Sequence, residues 1–236
     1  MEFPLIFLIG RPAAGKSEVI RYLKGLSREE RKRRLHISDF YELDDFPMLW
    51  AWFEEDAFLQ QMGKPRLHTK DDGSFSHTYL WDLLIKRLDL DYRKRKAEPE
   101  YADNTAIVEF SRGVQHGGFN RVFMHFSDET LQAGAVLYID VSYEESLRKN
   151  RKRFNPDKPY SILEHGLSDE RLEQLYKDSD WAELASGDPG FISVRGIRMP
   201  YSVLKNDDDV TTLGGERLGE RLEQCFNELT GLMQKR

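Results

Sequence analysis

The feature that most constrains the fold is a short glycine-containing loop that follows an apolar strand. Residues 3–9 are almost entirely apolar, which predicts a strand buried on both faces of a parallel sheet. Gly10 and Gly15 permit backbone angles and close approaches that a side chain would prevent. The loop can therefore turn its N–H groups, with the N-terminus of the next helix, toward an anion. Lys16 adds a point charge and Ser17 a hydroxyl, so the segment predicts a phosphate-binding turn.

The loop fits the pattern Gly-x-x-x-x-Gly-Lys-Ser/Thr at every fixed position, and its context supports the match. A buried strand precedes it. A helix from Lys16 to Leu26 is expected to follow, with Val19, Ile20 and Leu23 on one side. We therefore interpret the segment as a P-loop that wraps the phosphates of ATP or GTP. The residues predicted to contact the nucleotide are Gly10, Arg11, Pro12, Ala13, Ala14, Gly15, Lys16 and Ser17.

Strand and helix patterns alternate along the chain, which is typical of a parallel sheet covered by helices on both faces. We predict an α/β fold, a three-layer α/β/α arrangement with a mainly parallel five-stranded sheet and the P-loop after the first strand. The expected strands are 3–9, 35–38, 105–110, 135–141 and an interrupted region from 191 to 204. The expected helices are 16–26, 78–96, 127–132, 143–153, 168–184 and 215–233.

The length of 236 residues suits a single domain over residues 1–236. The interval 41–104, between the second and third expected strands, is the main insertion. Its aromatic residues form either a small core of the insertion or a platform on which a ring could stack. They are Phe46, Trp50, Trp52, Phe53 and Phe58.

Composition excludes several classes of protein. The longest apolar run, residues 3–9, is too short to span a bilayer and lacks the features of a signal peptide. The single cysteine leaves no internal disulfide, and the six histidines lack the paired spacing of a zinc site. A net charge of −6 argues against a nucleic-acid partner. We expect a cytoplasmic protein that does not associate with membranes.

Two classes of P-loop protein fit poorly. A guanine-specific GTPase needs an Asn-Lys-x-Asp reader, and residues 204–208 carry similar letters in the wrong order. A motor ATPase needs a longer apolar strand ending in an acid than Ala106–Glu109 provides. ATP is therefore favoured over GTP.

Four features together resemble the nucleoside-monophosphate-kinase-like branch of P-loop proteins, which includes small-molecule kinases. The first is the P-loop. Residues 36–40 then place an acid after the second expected strand, and residues 107–113 place an acid and an arginine at the end of the third. Residues 136–153 are similar to the strand and helix that lead into the mobile lid of such kinases.

This resemblance implies an ATP- and Mg²⁺-dependent kinase that transfers the γ-phosphoryl group to a small-molecule acceptor. It further implies an acceptor pocket built from 41–104 and a lid within 148–185. The chain lacks the Asp-Gly-x-Pro-Arg signature of adenylate kinases, and 109–112 match the Glu-Arg-Ser of deoxynucleoside kinases only loosely. A nucleotide, a nucleoside and a sugar all stay open as the acceptor.

Three residues receive candidate roles beside the P-loop. Asp39 would accept the proton of the acceptor hydroxyl or hold Mg²⁺ through water, with a helix N-cap as the alternative. Glu109 would organise Mg²⁺, together with Ser17, or serve as the base; a buried structural carboxylate is the alternative. Arg112 would hold an anionic group of the acceptor, unless it simply pairs with Glu109.

The basic end of the helix at 143–153 supplies the remaining candidates. Arg148, Arg151 and Arg153 precede a segment rich in turns, which suits a lid that closes cations over the transferring phosphate. Arg151 is the preferred single residue. Stabilisation of a helix C-terminus by cations is the alternative.

Two other functions compete with a kinase. One is a regulatory ATP-binding module that hydrolyses ATP without a small-molecule acceptor. The other is a polynucleotide end kinase, in which basic runs such as residues 31–34 would grip a strand.

Overall fold

A computed structural model of the chain describes residues 2–153 and 167–236. The strands are β1 (Leu5–Gly10), β2 (Phe40–Asp44), β3 (Thr105–Phe110), β4 (Gly134–Asp140), β5 (Phe191–Val194) and β6 (Ile197–Lys205). They form a six-stranded sheet in the order β2-β3-β1-β4-β6-β5. Five strands run parallel, and β5 joins the edge as an antiparallel hairpin with β6.

Helices connect and cover these strands. They are α1 (Lys16–Gly25), α2 (Arg28–Leu35), α3 (Phe46–Gln61), α4 (Tyr79–Lys96), α5 (Gly118–Met124), α6 (Asp128–Ala133), α7 (Tyr143–Arg153), α8 (Asp169–Tyr176), α9 (Trp181–Leu184), α10 (Val210–Leu213) and α11 (Gly215–Met233). Short 3-10 turns occupy Pro99–Tyr101 and Val114–His116. In the part of the chain that the structure describes, no helix has the length and apolar character needed to cross a membrane.

Each face of the sheet carries its own hydrophobic core. Leu5, Phe7 and Ile9 of β1 face a core built with α4, α5, α6 and α9. Ile6 and Leu8 face the opposite core, built with α1, α2, α10 and α11. This alternation explains why the apolar run of β1 is continuous, and it confirms the predicted three-layer α/β/α arrangement.

Several predicted boundaries are wrong. The sheet has six strands rather than five, because the interrupted region at 191–204 is a hairpin of two strands. The second strand lies at Phe40–Asp44, not at 35–38, because Leu35 ends α2 and His36 caps it with a left-handed φ of 56°. The expected helix 168–184 is two helices, α8 and α9. Part of the predicted lid, residues 154–166, lies outside the described residues.

The strand order places the P-loop at the middle of the sheet. The connection from β1 to β2 passes over β3, whereas β4 lies on the other side of β1. The chain therefore reverses its direction of winding at the carboxyl end of β1, the position where open α/β sheets bind ligands. Asp44 of β2 is level with Glu109 of β3, and Glu109 is level with Leu8 of β1.

A close backbone contact fixes α8 against the segment that follows β3. A Cβ added to Gly113 would lie 1.9 Å from the carbonyl oxygen of Leu175, although the φ of Gly113 is an ordinary −106°. We expect Gly113→Ala to lower the free energy of unfolding by about 1–3 kcal/mol, the usual cost of overpacking. Denaturant unfolding measures this change. Gly231→Ala is the control, because its Cβ would meet nothing within 4 Å, and equal stability of the two variants would contradict the contact.

Candidate phosphate and acceptor site

The P-loop joins β1 to α1 in a conformation that leaves no room for side chains at its glycines. Gly15 has a φ of 111°, and a Cβ there would lie 2.3 Å from Thr211 Oγ1. A Cβ at Gly10 would lie 2.7 Å from the carbonyl oxygen of Ile139. Ala13 also has a left-handed φ, of 54°. The glycine requirement inferred from the sequence therefore has a steric basis on the side of the loop that packs against the protein.

Side chains from distant elements hold the loop in place. Ser146 Oγ of α7 donates to the carbonyl oxygen of Pro12 at 2.7 Å. Asn206, which follows β6, donates through Nδ2 to the carbonyl oxygen of Ala14 at 2.7 Å and to Thr211 Oγ1 at 2.8 Å. These bracing residues were not found by sequence reasoning, because only the tertiary structure brings them to the loop.

Arg11 of the P-loop binds the helix that lines the site. Its Nη1 donates to the carbonyl oxygen of Tyr176 at 2.6 Å, and its Nε donates to that of Val141 at 3.3 Å. This side chain therefore points toward the end of α8 and away from the space above the loop.

Lys16, the first residue of α1, is buried among polar groups. Only 7% of the residue is exposed, and Nζ donates to Ser111 Oγ at 2.7 Å and to the carbonyl oxygen of Arg11 at 3.1 Å. Glu109 Oε1 lies 4.0 Å from Nζ. Burial lowers the pKa of Lys16, and the nearby Glu109 carboxylate partly opposes this change. An anionic ligand would satisfy the charge of Lys16 better than Ser111 does.

Two carboxyl groups face each other at the ends of neighbouring strands. Burial raises the pKa of Glu109, and the Lys16 ammonium opposes this effect. Desolvation within the cleft, followed by repulsion from Asp45 and Glu109, raises the pKa of Asp44 to about 7. Carboxyl groups whose pKa is raised by burial and by neighbouring charges are often found at functional sites.

Asp39 does not join this group. The prediction placed Asp39 at the carboxyl end of the second strand. Asp39 instead immediately precedes β2, so it lies at the amino ends of the parallel strands. Its carboxylate pairs with Arg28 at 3.2 Å and with Arg31 at 3.2 Å. Asp44 takes the position in the fold that was assigned to Asp39. The alternation of Tyr41 and Leu43 before Asp44 is the signal that would have located it.

Arg112 is buried beside the site in a different pairing from the one considered. Its Nη2 donates to Asp45 Oδ2 at 2.5 Å, and Nη1 donates to the carbonyl oxygen of Ser111 at 2.7 Å. The guanidinium also lies 5.0 Å from the ring centroid of Trp81. The sequence had suggested Glu109 as the ion-pair partner of Arg112, but the structure pairs Arg112 with Asp45.

The three arginines of α7 separate in the structure. Arg148 pairs with Glu145 and Asp209, and Arg151 pairs with Asp169 at 2.5 Å. Arg153 lines the cavity above the P-loop, whereas the other two do not. The preference for Arg151 is therefore not supported by the arrangement, and Arg153 is the α7 arginine that the fold brings to the site.

A cavity of about 820 Å³ extends from the P-loop between α3, the start of α4 and α8. Lys16, Ser17, Asp44 and Glu109 lie at its charged end. Charged side chains that include Asp71, Asp72, Arg112 and Arg171 line part of the remainder, and aromatic side chains line much of the rest. The aromatic side chains are Phe46, Trp50, Phe53, Phe75, Trp81 and Tyr176.

The aromatic cluster of the insertion divides between two environments. Trp52 is buried in a small core with Leu80 and Leu84, as one of the two interpretations predicted. Trp50 and Phe53 instead line the cavity. The small-core interpretation therefore fits Trp52, and the stacking interpretation stays a prediction for the residues that line the cavity.

The donors at the charged end suit a phosphate–magnesium group. Ser17 supplies a hydroxyl, and Asp44 and Glu109 supply carboxylate oxygens, the ligand type that Mg²⁺ prefers. Within residues 2–153 and 167–236, no three His, Cys, Asp or Glu side chains are grouped as a metal site of their own. The donor set therefore fits an ion held jointly with nucleotide phosphates.

The strand order, the braced loop and the position of Lys16 define a P-loop, kinase-like α/β fold. No protein-family model and no curated protein matches the chain.

One solved structure supports this fold. A crystal structure of Kti12 from Chaetomium thermophilum in complex with ADP-AlF3 is similar, with a TM-score of 0.52 and 13% identity, over 97% of this chain and 98% of that chain. At this identity the likeness shows the fold. An unliganded sugar kinase from a Janibacter species gives a TM-score of 0.44 and 14% identity over 95% of each chain. The α/β prediction with a P-loop is confirmed.

Proposed function

We propose that the protein is an ATP-dependent phosphotransferase that uses Asp44 as the base for a small-molecule acceptor. The observation that carries the proposal is the position of Asp44. It lies level with Glu109 beside the P-loop and opens onto a cavity of about 820 Å³. Pure hydrolysis needs space for a water molecule, whereas this volume suits a small organic ligand.

The phosphate end binds the nucleotide. The P-loop N–H groups and the N-terminus of α1 hold the phosphates, and Lys16 neutralises the outer ones. Ser17 and Glu109 would hold Mg²⁺, which supplies charge neutralisation of the β- and γ-phosphates when it is bound. The contact of Lys16 with Ser111 is exchanged for phosphate oxygens when the nucleotide enters.

The transfer step follows from the place of Asp44. The acceptor oxygen forms a bond to the γ-phosphorus as the bond from that phosphorus to the β–γ bridging oxygen breaks. ADP leaves with the electron pair of the broken bond, and the acceptor proton passes to the Asp44 carboxylate. Arg153, at the rim of the same cavity, offsets negative charge on the phosphoryl group.

The basic segments give little support to a nucleic-acid substrate. Arg31 is buried and donates to backbone carbonyl oxygens, including that of Leu26 at 2.6 Å. Arg34 pairs with Glu216 and Glu223. Basic side chains already satisfied within the protein are poor contacts for a strand.

An acceptor screen tests the proposal. We expect ADP release from Mg²⁺-ATP to rise at least tenfold with one member of a panel of nucleosides, nucleoside monophosphates and sugars, with phosphate appearing on that compound. Mass spectrometry of the products measures the transfer. Slow ATP hydrolysis that no acceptor stimulates would contradict the proposal and support a regulatory ATPase module. Salt-sensitive binding and end-phosphorylation of an oligonucleotide would instead support a polynucleotide kinase.

A further inference from the structure

His116 is one of the residues that line the cavity. Its ring stacks on Trp81 with the centroids 3.9 Å apart and the planes 23° apart, and it meets the Tyr176 ring edge-on at 5.5 Å. Only 7% of the residue is exposed. The two aromatic neighbours therefore fix the plane of the imidazole.

The imidazole is buried without hydrogen bonds. Among the described residues, neither Nδ1 nor Nε2 has a partner, and the Nε of the neighbouring Arg112 lacks one as well. Burial, assisted by the Arg112 charge, lowers the pKa of His116 to about 3. The ring is therefore neutral and offers one donor and one acceptor. Buried polar atoms are rarely left unmatched in proteins, which points to a ligand that completes them.

A half-turn of the ring exchanges its polar and apolar atoms. Since neither nitrogen is accessible, the exposed part of His116 belongs to its other atoms. A half-turn about the Cβ–Cγ bond exchanges each ring nitrogen with a ring carbon and leaves the ring in the same plane on Trp81. Such a turn changes the direction of the polar atoms and keeps the stacking contact with Trp81.

The surroundings indicate the kind of ligand. Phe53 and Phe75 provide flat apolar surfaces near Trp81, and Gln115 adds a neutral amide that can both donate and accept. The charge of Arg112 is already offset by Asp45. This end of the cavity therefore suits an uncharged planar ring more than a phosphate or a carboxylate.

We propose that His116 is a specificity-determining residue for the acceptor, and that it recognises a neutral heteroaromatic ring whose edge carries both a hydrogen-bond donor and an acceptor. The inference rests on the proposed function for the presence of an acceptor. It adds the chemical class of that acceptor and the residue that selects it.

Binding in the absence of ATP tests this inference separately from catalysis. The probes are adenosine, guanosine, cytidine and thymidine. Glucose is the comparison compound that has hydroxyl groups but no aromatic ring. Phenyl glucoside has an aromatic ring whose edge carries no hydrogen-bonding atom. Isothermal titration calorimetry gives the dissociation constants. His116→Phe retains the stacking but removes both nitrogens, and His116→Gln restores a donor and an acceptor. His125→Phe is the matched control, because His125 pairs with Asp82 and does not line the cavity.

We expect at least one nucleoside to bind at least about tenfold more tightly than glucose and than phenyl glucoside. His116→Phe should weaken that binding about tenfold, the effect of losing one or two neutral hydrogen bonds. His116→Gln should recover part of the loss, and His125→Phe should show none. Failure of all nucleosides to bind, or equal binding by wild type and His116→Phe, would overturn the inference. Phosphorylation of glucose without nucleoside binding would support the proposed kinase function and overturn the role of His116. Nucleoside binding that depends on His116 but leads to no phosphoryl transfer would support the role of His116 and contradict the kinase function.

Discussion

Replacement of Lys16 by methionine is expected to reduce ATP turnover by at least about 10²–10³-fold, the usual cost of removing one group that stabilises the charge of a transition state. Lys16 is the buried cation of the P-loop, 7% exposed and within hydrogen-bond distance of Ser111. Methionine matches the aliphatic stem but carries no charge. The fold should therefore persist, because a buried ammonium is replaced by an apolar group of similar length.

Steady-state ADP release and thermal unfolding, measured on the same preparations, separate loss of activity from loss of structure. Lys24→Met is the matched control. Lys24 lies on the same helix, and its exposed side chain pairs with Glu42. Full turnover in the Lys16 variant would contradict the assignment of the loop. Equal loss in both variants would show that the effect belongs to the helix and not to the site.

The second large effect concerns Asp44. We expect Asp44→Asn to lower the rate of acceptor phosphorylation by about 10²–10⁴-fold, since an amide cannot take the proton that the acceptor loses. The comparison variant is Asp39→Asn, at the amino end of the same strand, and we expect its rate to be close to that of the wild type. Rates measured at saturating ATP distinguish the two positions. A larger loss at Asp39 would support the assignment made from the sequence over the one made from the structure.

The pKa of Asp44 gives this variant a second signature. Its value in the folded protein is about 7, above the ordinary 3.8. Between these values the folded protein holds a proton that the unfolded chain has lost, so the wild type loses stability as the pH rises from about 4 to about 7. Asp44→Asn should lack this loss. Thermal unfolding of the nucleotide-free protein at pH 5 and pH 8 should therefore show a variant that is more strongly stabilised, relative to the wild type, at pH 8 than at pH 5.

The central part of the site could be predicted from the sequence because its signals are local. Gly10, Gly15 and Lys16 lie within one short segment, and the buried strand before them identifies the context. Glu109 was expected beside the P-loop on condition that the third strand neighbours the first, and the pairing of β1 with β3 meets that condition.

The second strand was misplaced for a physical reason. Leu35 and Ile37 are buried in the core on one face of the sheet, so their apolar alternation was taken for a strand. Leu35 is instead the last residue of the charged helix α2. Because the strand was placed a few residues too early, Asp39 was assigned to its carboxyl end. In the structure Asp39 lies at the amino end of β2, and Asp44 lies at the carboxyl end.

The remaining residues could not be found from local patterns. Asn206 supports a loop that lies 192 positions earlier in the chain. His116 has meaning only because Trp81 and Tyr176 are folded around it. Long-range contacts of this kind leave no periodic trace in the sequence.

The contact of Arg11 with the end of α8 has a thermodynamic consequence. The loop that we propose binds phosphates and the helix that contributes Tyr176 to the cavity are joined by one guanidinium. We therefore expect a ligand that orders the loop to order part of the cavity wall as well. By linkage, whatever factor the nucleotide adds to acceptor affinity, the acceptor must return to nucleotide affinity.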